Sequence, residues 1–212
     1  TQLNGHTLEL AIPGSKTLFY QKPWFGPGTV KLVKSGTGGG TLKIEADNFT
    51  DKSVNLIAQD CALNIQSIVD VNDYTTRYNA NYNWMGDNAA LRVHGAFTPY
   101  VDYFTGATMM DGSTINLSNV SLPWSAKSSF SNANQLKIAD GANITLVLPE
   151  VVFRNGEREV IVVTNLNNNV DFDVSRITCD LSNVKTETGR MLSGVHLKSS
   201  GTGLVVEKLP GL

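Results

Sequence analysis

The sequence predicts an all-β chain, a coil of short strands stacked turn upon turn with a β-sandwich as the alternative, and three observations carry that prediction. The first is alternation. In Asp111-Gly112-Ser113-Thr114-Ile115-Asn116-Leu117-Ser118, and again from Leu136 through Asp140-Gly141 to Leu148, an Asp-Gly turn delivers the chain into a run with every second residue apolar. That is the period of a strand with one buried face. The second is punctuation: Gly, Asn and Asp bound runs that recur roughly every ten to twelve residues, a spacing that suits hairpins in a sandwich or rungs in a solenoid. The third is the near absence of helical periodicity, with only Ser129 to Gln135 and Thr186 to Leu192 able to hold a turn or two. Weak repetition of a Thr/Ser-apolar-polar-apolar unit favours the solenoid, in which each coil pairs its backbone with the coils above and below.

Taken in order, Thr7 to Leu10 and Lys16 to Tyr20 read as strands joined through Pro13-Gly14-Ser15. Lys22 to Gly28 is a Pro/Gly-rich connection around Trp24. Thr29 to Val33 and Thr41 to Glu45 follow as strands, separated by Gly36, Gly38, Gly39 and Gly40, which read as a flexible turn. No Lys-Ser or Lys-Thr follows these glycines and no helix succeeds them, so they do not cradle phosphate. Val54 to Ala58 and a long run from Ala62 to Val69 continue the series. The pattern then breaks: Tyr74, Tyr78, Tyr82, Trp84, Tyr100, Tyr103 and Phe104 accumulate among asparagines, and only Ala90 to His94 resembles a strand. The reading is a single domain over 1–212 with an irregular, aromatic-rich insertion around 70–108. Beyond the organising stretch, Val151 to Phe153 and Glu159 to Thr164 flank Asn155-Gly156, a hairpin signature. Val160 to Val163, apolar on both faces, is expected to lie deeper than the other strands or to cover the end of the core. Val170 to Val174 alternates as a strand, and Val195 to Lys198 and Gly203 to Lys208 complete the chain.

Composition narrows the function classes. Of 212 residues, 41% are hydrophobic and 17% charged, with a net charge of −2; the charged share is below the roughly 25% of an ordinary domain. Neutral Asn, Ser, Thr and Gly cover the surface instead. Lys31, Lys34 and Lys43 form only a loose group near Glu45 and Asp47, too sparse to pair a run of phosphates, so no nucleic-acid partner is expected. No apolar run approaches the roughly 20 residues of a membrane span, and no direct membrane insertion is expected. The chain opens at Thr1 in a strand-like pattern, which reads as a fragment or mature product. Cys61 and Cys179 are too few to define a disulfide scaffold; two buried thiols are the leading reading and a mutual disulfide the second.

Three segments carry a family resemblance: Gly40-Thr41-Leu42-Lys43-Ile44, Asp111 to Ser118, and Asp140 to Leu148. They resemble the repeats of autotransporter-type passenger domains, and the tail from Val195 to Val206 is similar to the closing strand, Gly turn and final apolar strand of such passengers. The resemblance covers about half the chain. It implies a right-handed parallel β-helix at a bacterial cell surface, extracellular, used in adhesion, aggregation or display, and it transfers no catalytic or binding residue.

The strongest local anomaly is the aromatic, Asn-rich region. Tyr and Trp rings lie against sugar faces while carboxylates and amides bond hydroxyls, so Asp70, Asp73, Tyr74, Tyr78, Tyr82 and Trp84 form the candidate surface for a glycan or surface-protein ligand. Packing of the same rings against the core or a loop is the structural alternative. Asp171 with Asp173, and Asp70 with Asp73, are the carboxylate pairs to weigh for polysaccharide cleavage, but adjacency in sequence supplies neither the facing geometry nor the split protonation that glycoside hydrolysis needs. No catalytic residue is assigned. Asp70-Val71-Asn72-Asp73 does not complete a calcium loop, His6, His94 and His196 lack ligand spacing for zinc, and no Gly-x-Ser-x-Gly elbow occurs. No metal or cofactor is expected. The expectation is a non-enzymatic cell-surface structural or adhesion domain, capable of self-association, with a carbohydrate-binding module or a polysaccharide-processing β-helix enzyme as alternatives.

Overall fold

A computed structural model describes residues 1–37, 40–45, 51–77, 83–86, 89–100, 107–126, 136–166, 173–201 and 203–210, with the backbone alone at 83–85. The chain climbs as an open parallel β-solenoid. Its first coil holds β1 (Thr7–Pro13) and β2 (Thr17–Tyr20), and its second β3 (Gly28–Ser35) and β4 (Thr41–Ile44). The third carries β5 (Val54–Gln59), β6 (Ala62–Ile65) and β7 (Ile68–Val71), and the fourth β8 (Tyr74–Arg77), β9 (Asn83–Met85) and β10 (Ala90–Val93). The fifth has β11 (Ala96–Pro99) and β12 (Thr108–Met109), and the sixth β13 (Thr114–Asn116), β14 (Trp124–Ser125) and β15 (Lys137–Ile138). The seventh has β16 (Ile144–Val147), β17 (Val151–Phe153) and β18 (Glu159–Thr164), and the last β19 (Ile177–Cys179) and β20 (Val184–Thr186). A hairpin of β21 (Val195–Ser200) and β22 (Gly203–Lys208) ends the series.

Like strands stack on like. The first sheet runs β1-β3-β5-β8-β11-β13-β16-β19, the second β2-β4-β6-β9 and the third β7-β10-β12-β15, all parallel and all in chain order. Parallel pairing in chain order excludes the sandwich, whose hairpins would reverse direction from strand to strand. Antiparallel pairing enters at the end, where β18 receives β22 and β22 receives β21.

Alternation in sequence becomes a ladder in space. Leu8, Val30, Leu56, Tyr74, Phe97, Ile115, Leu146 and Cys179 occupy one register row across all eight strands of the first sheet. Six of them, from Val30 to Leu146, are buried. Their outward neighbours Thr114, Thr145 and Thr178 form a row of their own. Within the core the Tyr74 and Phe97 rings stack with centroids 5.7 Å apart, and Phe97 meets Trp124 at 6.0 Å. Each coil therefore buries its apolar row against its neighbours, which no single coil could do alone.

The corners before the first sheet are held by side chains. Asp51 accepts from Gly26 N at 2.5 Å and from Ser53 N at 3.0 Å. Asp73 accepts from Ala96 N at 2.7 Å, Asp111 from Asn143 N at 2.8 Å, and Asp173 from Ser175 N at 3.0 Å. Each carboxylate satisfies a backbone donor that a tight turn leaves without a strand partner. Those hydrogen bonds depress the acids: Asp51 through Ser53 and Gly26, Asp111 through Asn143, Asp173 through Ser175.

Several sequence expectations need correction. Residues 70–77 and 89–100 are not irregular; they build β8, β10, β11 and the second half of β7 in register with their neighbours. Aromatic residues there obscure an alternation that stays intact. The Ala62 to Val69 run is two strands in two sheets, bent at Gln66-Ser67. β17 and β18 do not form a hairpin around Asn155-Gly156: β17 pairs β20 in parallel while β18 joins β14, so that turn is a coil corner. Thr186 to Leu192 is a turn rather than a helix. Among the described residues the chain makes one 3-10 turn, at Val174–Arg176, capped by Asp173; of the strand expected over Val170 to Val174, residues 170–172 lie outside the described residues. Ser129 to Gln135 lies outside the described residues. Gly40 belongs to no loose turn; a Cβ there would come within 2.5 Å of Pro13 O and 2.8 Å of Lys16 O, so glycine is required by the close approach of the first coil. Val162 and Val163 are buried as expected, but Ile161 is 51% exposed.

Candidate functional site

The second sheet brings four short segments side by side. In β2, β4 and β6 the inward positions are Leu18, Leu42, Leu63 and, two residues on, Tyr20, Ile44, Ile65. The period of two then turns the residues between them outward: Phe19, Lys43 and Asn64 form one row, continued on β9 by the backbone position of Trp84. The next outward row, just past the strand ends, is Gln21, Glu45 and Gln66, whose carriers stay in register through Glu45 N to Tyr20 O at 3.2 Å and Gln66 N to Ile44 O at 2.9 Å.

Hydrogen bonds and charge knit this surface together. Phe19 is 57% exposed, and Lys43 Nζ stands 5.3 Å from its ring centroid. Lys43 pairs with Glu45, and Gln21 Nε2 donates to Glu45 Oε2 at 3.3 Å. Those two donors, Lys43 first, hold the Glu45 carboxyl below its ordinary value. Gln66 Nε2 donates to Asn64 Oδ1 at 2.5 Å. Gly86 lies beside Gln66, and a Cβ on it would come within 2.6 Å of the Gln66 amide oxygen. The result is a sheet face with an exposed ring at one end, a lysine and a carboxylate in the middle, and two linked amides. Such a surface can stack on an apolar ring face and exchange neutral hydrogen bonds with hydroxyls.

The residues singled out by sequence fall elsewhere. Tyr74 is fully buried in the core row, stacked on Phe97, so its ring belongs to the inward register and offers no surface to a ligand. Asp70, on β7, is buried and shares a hydrogen bond of 2.6 Å with His94 Nε2. Asp73 is a corner acid, packed so closely on Gly95 that any larger residue there would displace it. Trp84 alone sits at a register position of the second sheet's outer row. Tyr78 and Tyr82 lie outside the described residues, as does Asp171. Of the carboxylate pairs, Asp70 and Asp73 engage different partners, His94 and Ala96 N, and Asp173 caps the 3-10 turn.

Phe19, Gln21, Asn64 and Gln66 escaped sequence reasoning because each is ordinary within its own strand. The signal was there: Thr17-Leu18-Phe19-Tyr20, Thr41-Leu42-Lys43-Ile44 and Ala62-Leu63-Asn64-Ile65 share one pattern, and aligning them puts residues 19, 43 and 64 in one column. The basic group resolves into local pairs, Lys31 with Glu9 at 3.0 Å, Lys34 with Asp60 at 3.6 Å and Lys43 with Glu45. Cys61 and Cys179 are free thiols, Cys61 buried and Cys179 partly so; burial, the larger cause, pushes Cys179 up to about 11, with Asp180 adding to it. No group of His, Cys, Asp and Glu able to hold a metal occurs among the described residues, and no described helix is long and apolar enough to cross a membrane. Comparison with protein-family models, curated proteins and solved structures finds no match to this chain, so its fold and surfaces are what define it.

Proposed function

We propose that the protein is a non-enzymatic adhesion or structural domain of a bacterial cell surface, a right-handed β-helix of the autotransporter-passenger kind that contacts glycans through the outer face of its second sheet. One observation carries the reading: the exposed Phe19 ring, the Lys43–Glu45 pair and the linked Asn64 and Gln66 amides lie in adjacent outward rows of one sheet. Three further points support it. Parallel strands joined by crossovers in one sheet are right-handed in nearly all cases. The sparse charge of the chain favours a surface recognising through neutral hydrogen bonds. Asp73 and Asp173, members of the carboxylate pairs weighed in the sequence and not assigned to catalysis, are bound to backbone amides at corners, where their task is to hold turns.

A glycan-array screen of the wild type and of Phe19→Ala and Asn64→Ala tests the proposal. Both side chains point outward, so the variants should melt with the wild type while losing at least tenfold in signal for any glycan it binds. Binding that survives both changes, or an array with no bound glycan, removes this face from the account. Polysaccharide cleavage into new chain ends would instead favour the enzymatic alternative.

A further inference from the structure

A second surface, away from the glycan-binding face proposed above, is built for a different partner. The sheet formed by β14, β18, β22 and β21 is incomplete on one side. β18 spans Glu159 to Thr164, yet β14 pairs only with Val163 and Thr164. Among the described residues, Glu159 to Ile161 have a strand partner on the β22 side alone, and Val162 falls at the register shift between Ile161 and Val163, without a β22 partner. Pro123 immediately precedes β14 and has no N–H to donate, so the chain there cannot extend the ladder. Half of a sheet edge is left with backbone donors and acceptors facing away from β22, the arrangement to which an extended segment adds itself.

Beside that edge is a groove of about 620 Å³ whose apolar lining includes Val120, Leu122, Pro123, Val152, Val160 and Ile161. Its apolar lining is set among Glu150, Glu157, Glu159 and one cation, Arg154. Lys185 holds Glu150, and Lys198 holds Glu159 at 3.2 Å. Glu157 accepts a backbone hydrogen bond from Arg154 N at 2.7 Å and has no ion pair among the described residues. An apolar wall beside an unpaired ladder, with Glu157 the carboxylate of the rim outside any ion pair among the described residues, matches one kind of occupant: a polypeptide in extended form with apolar residues and a Lys or Arg alternating. A glycan has no repeating amide to pair with the edge.

We infer that this groove binds an extended peptide carrying a Lys or Arg by strand addition to β18, three residues running beside Glu159 to Ile161. Apolar side chains of the peptide, all on one face of the added strand, pack on Ile161, and a Lys or Arg pairs with Glu157.

The test uses capped octapeptides alternating Val or Ile with Lys or Thr, titrated against the full chain and read by fluorescence anisotropy. Two controls accompany them, one N-methylated at alternate amides and one with Glu in place of Lys. Saturable binding is expected, weakened at least tenfold by N-methylation, by the Lys-to-Glu exchange, and by Ile161→Lys or Glu157→Lys in the protein. Ile161 is half exposed, so Ile161→Lys should retain the wild-type melting temperature; Glu157→Lys also removes the acceptor of Arg154 N, so its binding is read at a temperature well below its own melting point. Absence of saturable binding, equal binding of the N-methylated peptide, or indifference to both protein variants overturns the inference. Sedimentation showing a dimer that Ile161→Lys dissolves would assign the groove to a second copy of the chain and likewise overturn it. None of these outcomes depends on Phe19 or Asn64, so this inference and the glycan reading stand or fall separately.

Discussion

Replacing Phe97 with alanine removes the centre of the core row and tests the stacked register directly. The ring is fully buried, with Tyr74 and Ile115 as its register partners on the coils either side and Trp124 at 6.0 Å. Truncating such a phenylalanine costs about 3–5 kcal/mol from lost transfer energy and the residual cavity. The two ring contacts, each about 0.5–1.5 kcal/mol beyond burial, place the loss in the upper part of that range. With a urea slope of about 2–3 kcal/mol per molar for a chain of this size, the midpoint should fall by about 2 M. Thr98, the next residue, pairs with Thr75 on the outer face, and Thr98→Ala should stay within about 0.5 kcal/mol. Urea titrations followed by tryptophan fluorescence and far-UV circular dichroism measure both, coincident curves showing that the coils unfold together. A slip of one residue would exchange the two faces of β11. If Thr98→Ala costs as much as Phe97→Ala, the inward row is wrongly assigned and the stacking argument fails with it.

Two further outcomes follow from the corners. Hydrogen bonds from Asn143 lower the Asp111 pKa in the folded chain, so this group contributes stability above the ordinary carboxylate value of about 4 and loses it as pH falls through the lowered folded value. The melting temperature of Asp111→Ala should therefore lie below that of wild type at neutral pH and converge with it in strong acid; a gap independent of pH would contradict the capping role. Gly40→Ala pushes a Cβ toward backbone oxygens of Pro13 and Lys16 that cannot move aside, and should cost about 1–3 kcal/mol by thermal or urea unfolding. An unchanged midpoint would show that the first two coils are not held as closely as described.

How much of this was legible beforehand depends on whether the signal was local. Alternation in Thr114-Ile115-Asn116 or Thr41-Leu42-Lys43-Ile44 states which side of a strand faces inward, because successive Cβ atoms alternate whatever lies alongside. The strand class, the short rungs, the Asp-Gly corners and the deep placement of Val162 and Val163 were therefore written in the chain. Tyr74 shows where that reading stopped: its aromatic, Asn-rich neighbourhood looked like a loop, and only its register between Leu56 and Phe97 reveals a core ring. Asn155-Gly156 is a turn in either reading, but whether the chain doubles back or turns a corner depends on partners, β20 for one arm and β14 for the other, more than twenty residues away.

Sequence by itself determined the two-residue period, the positions of most turns and the neutral, low-charge surface, since each arises from residues within one turn of chain. Tertiary structure alone decided that the strands run parallel, that Phe19, Lys43 and Asn64 share a row, and that half of β18 has an unpaired edge. Pairing between strands is made by backbone groups every residue carries alike. Partner choice is consequently set by how whole coils stack their apolar rows, which no single segment encodes.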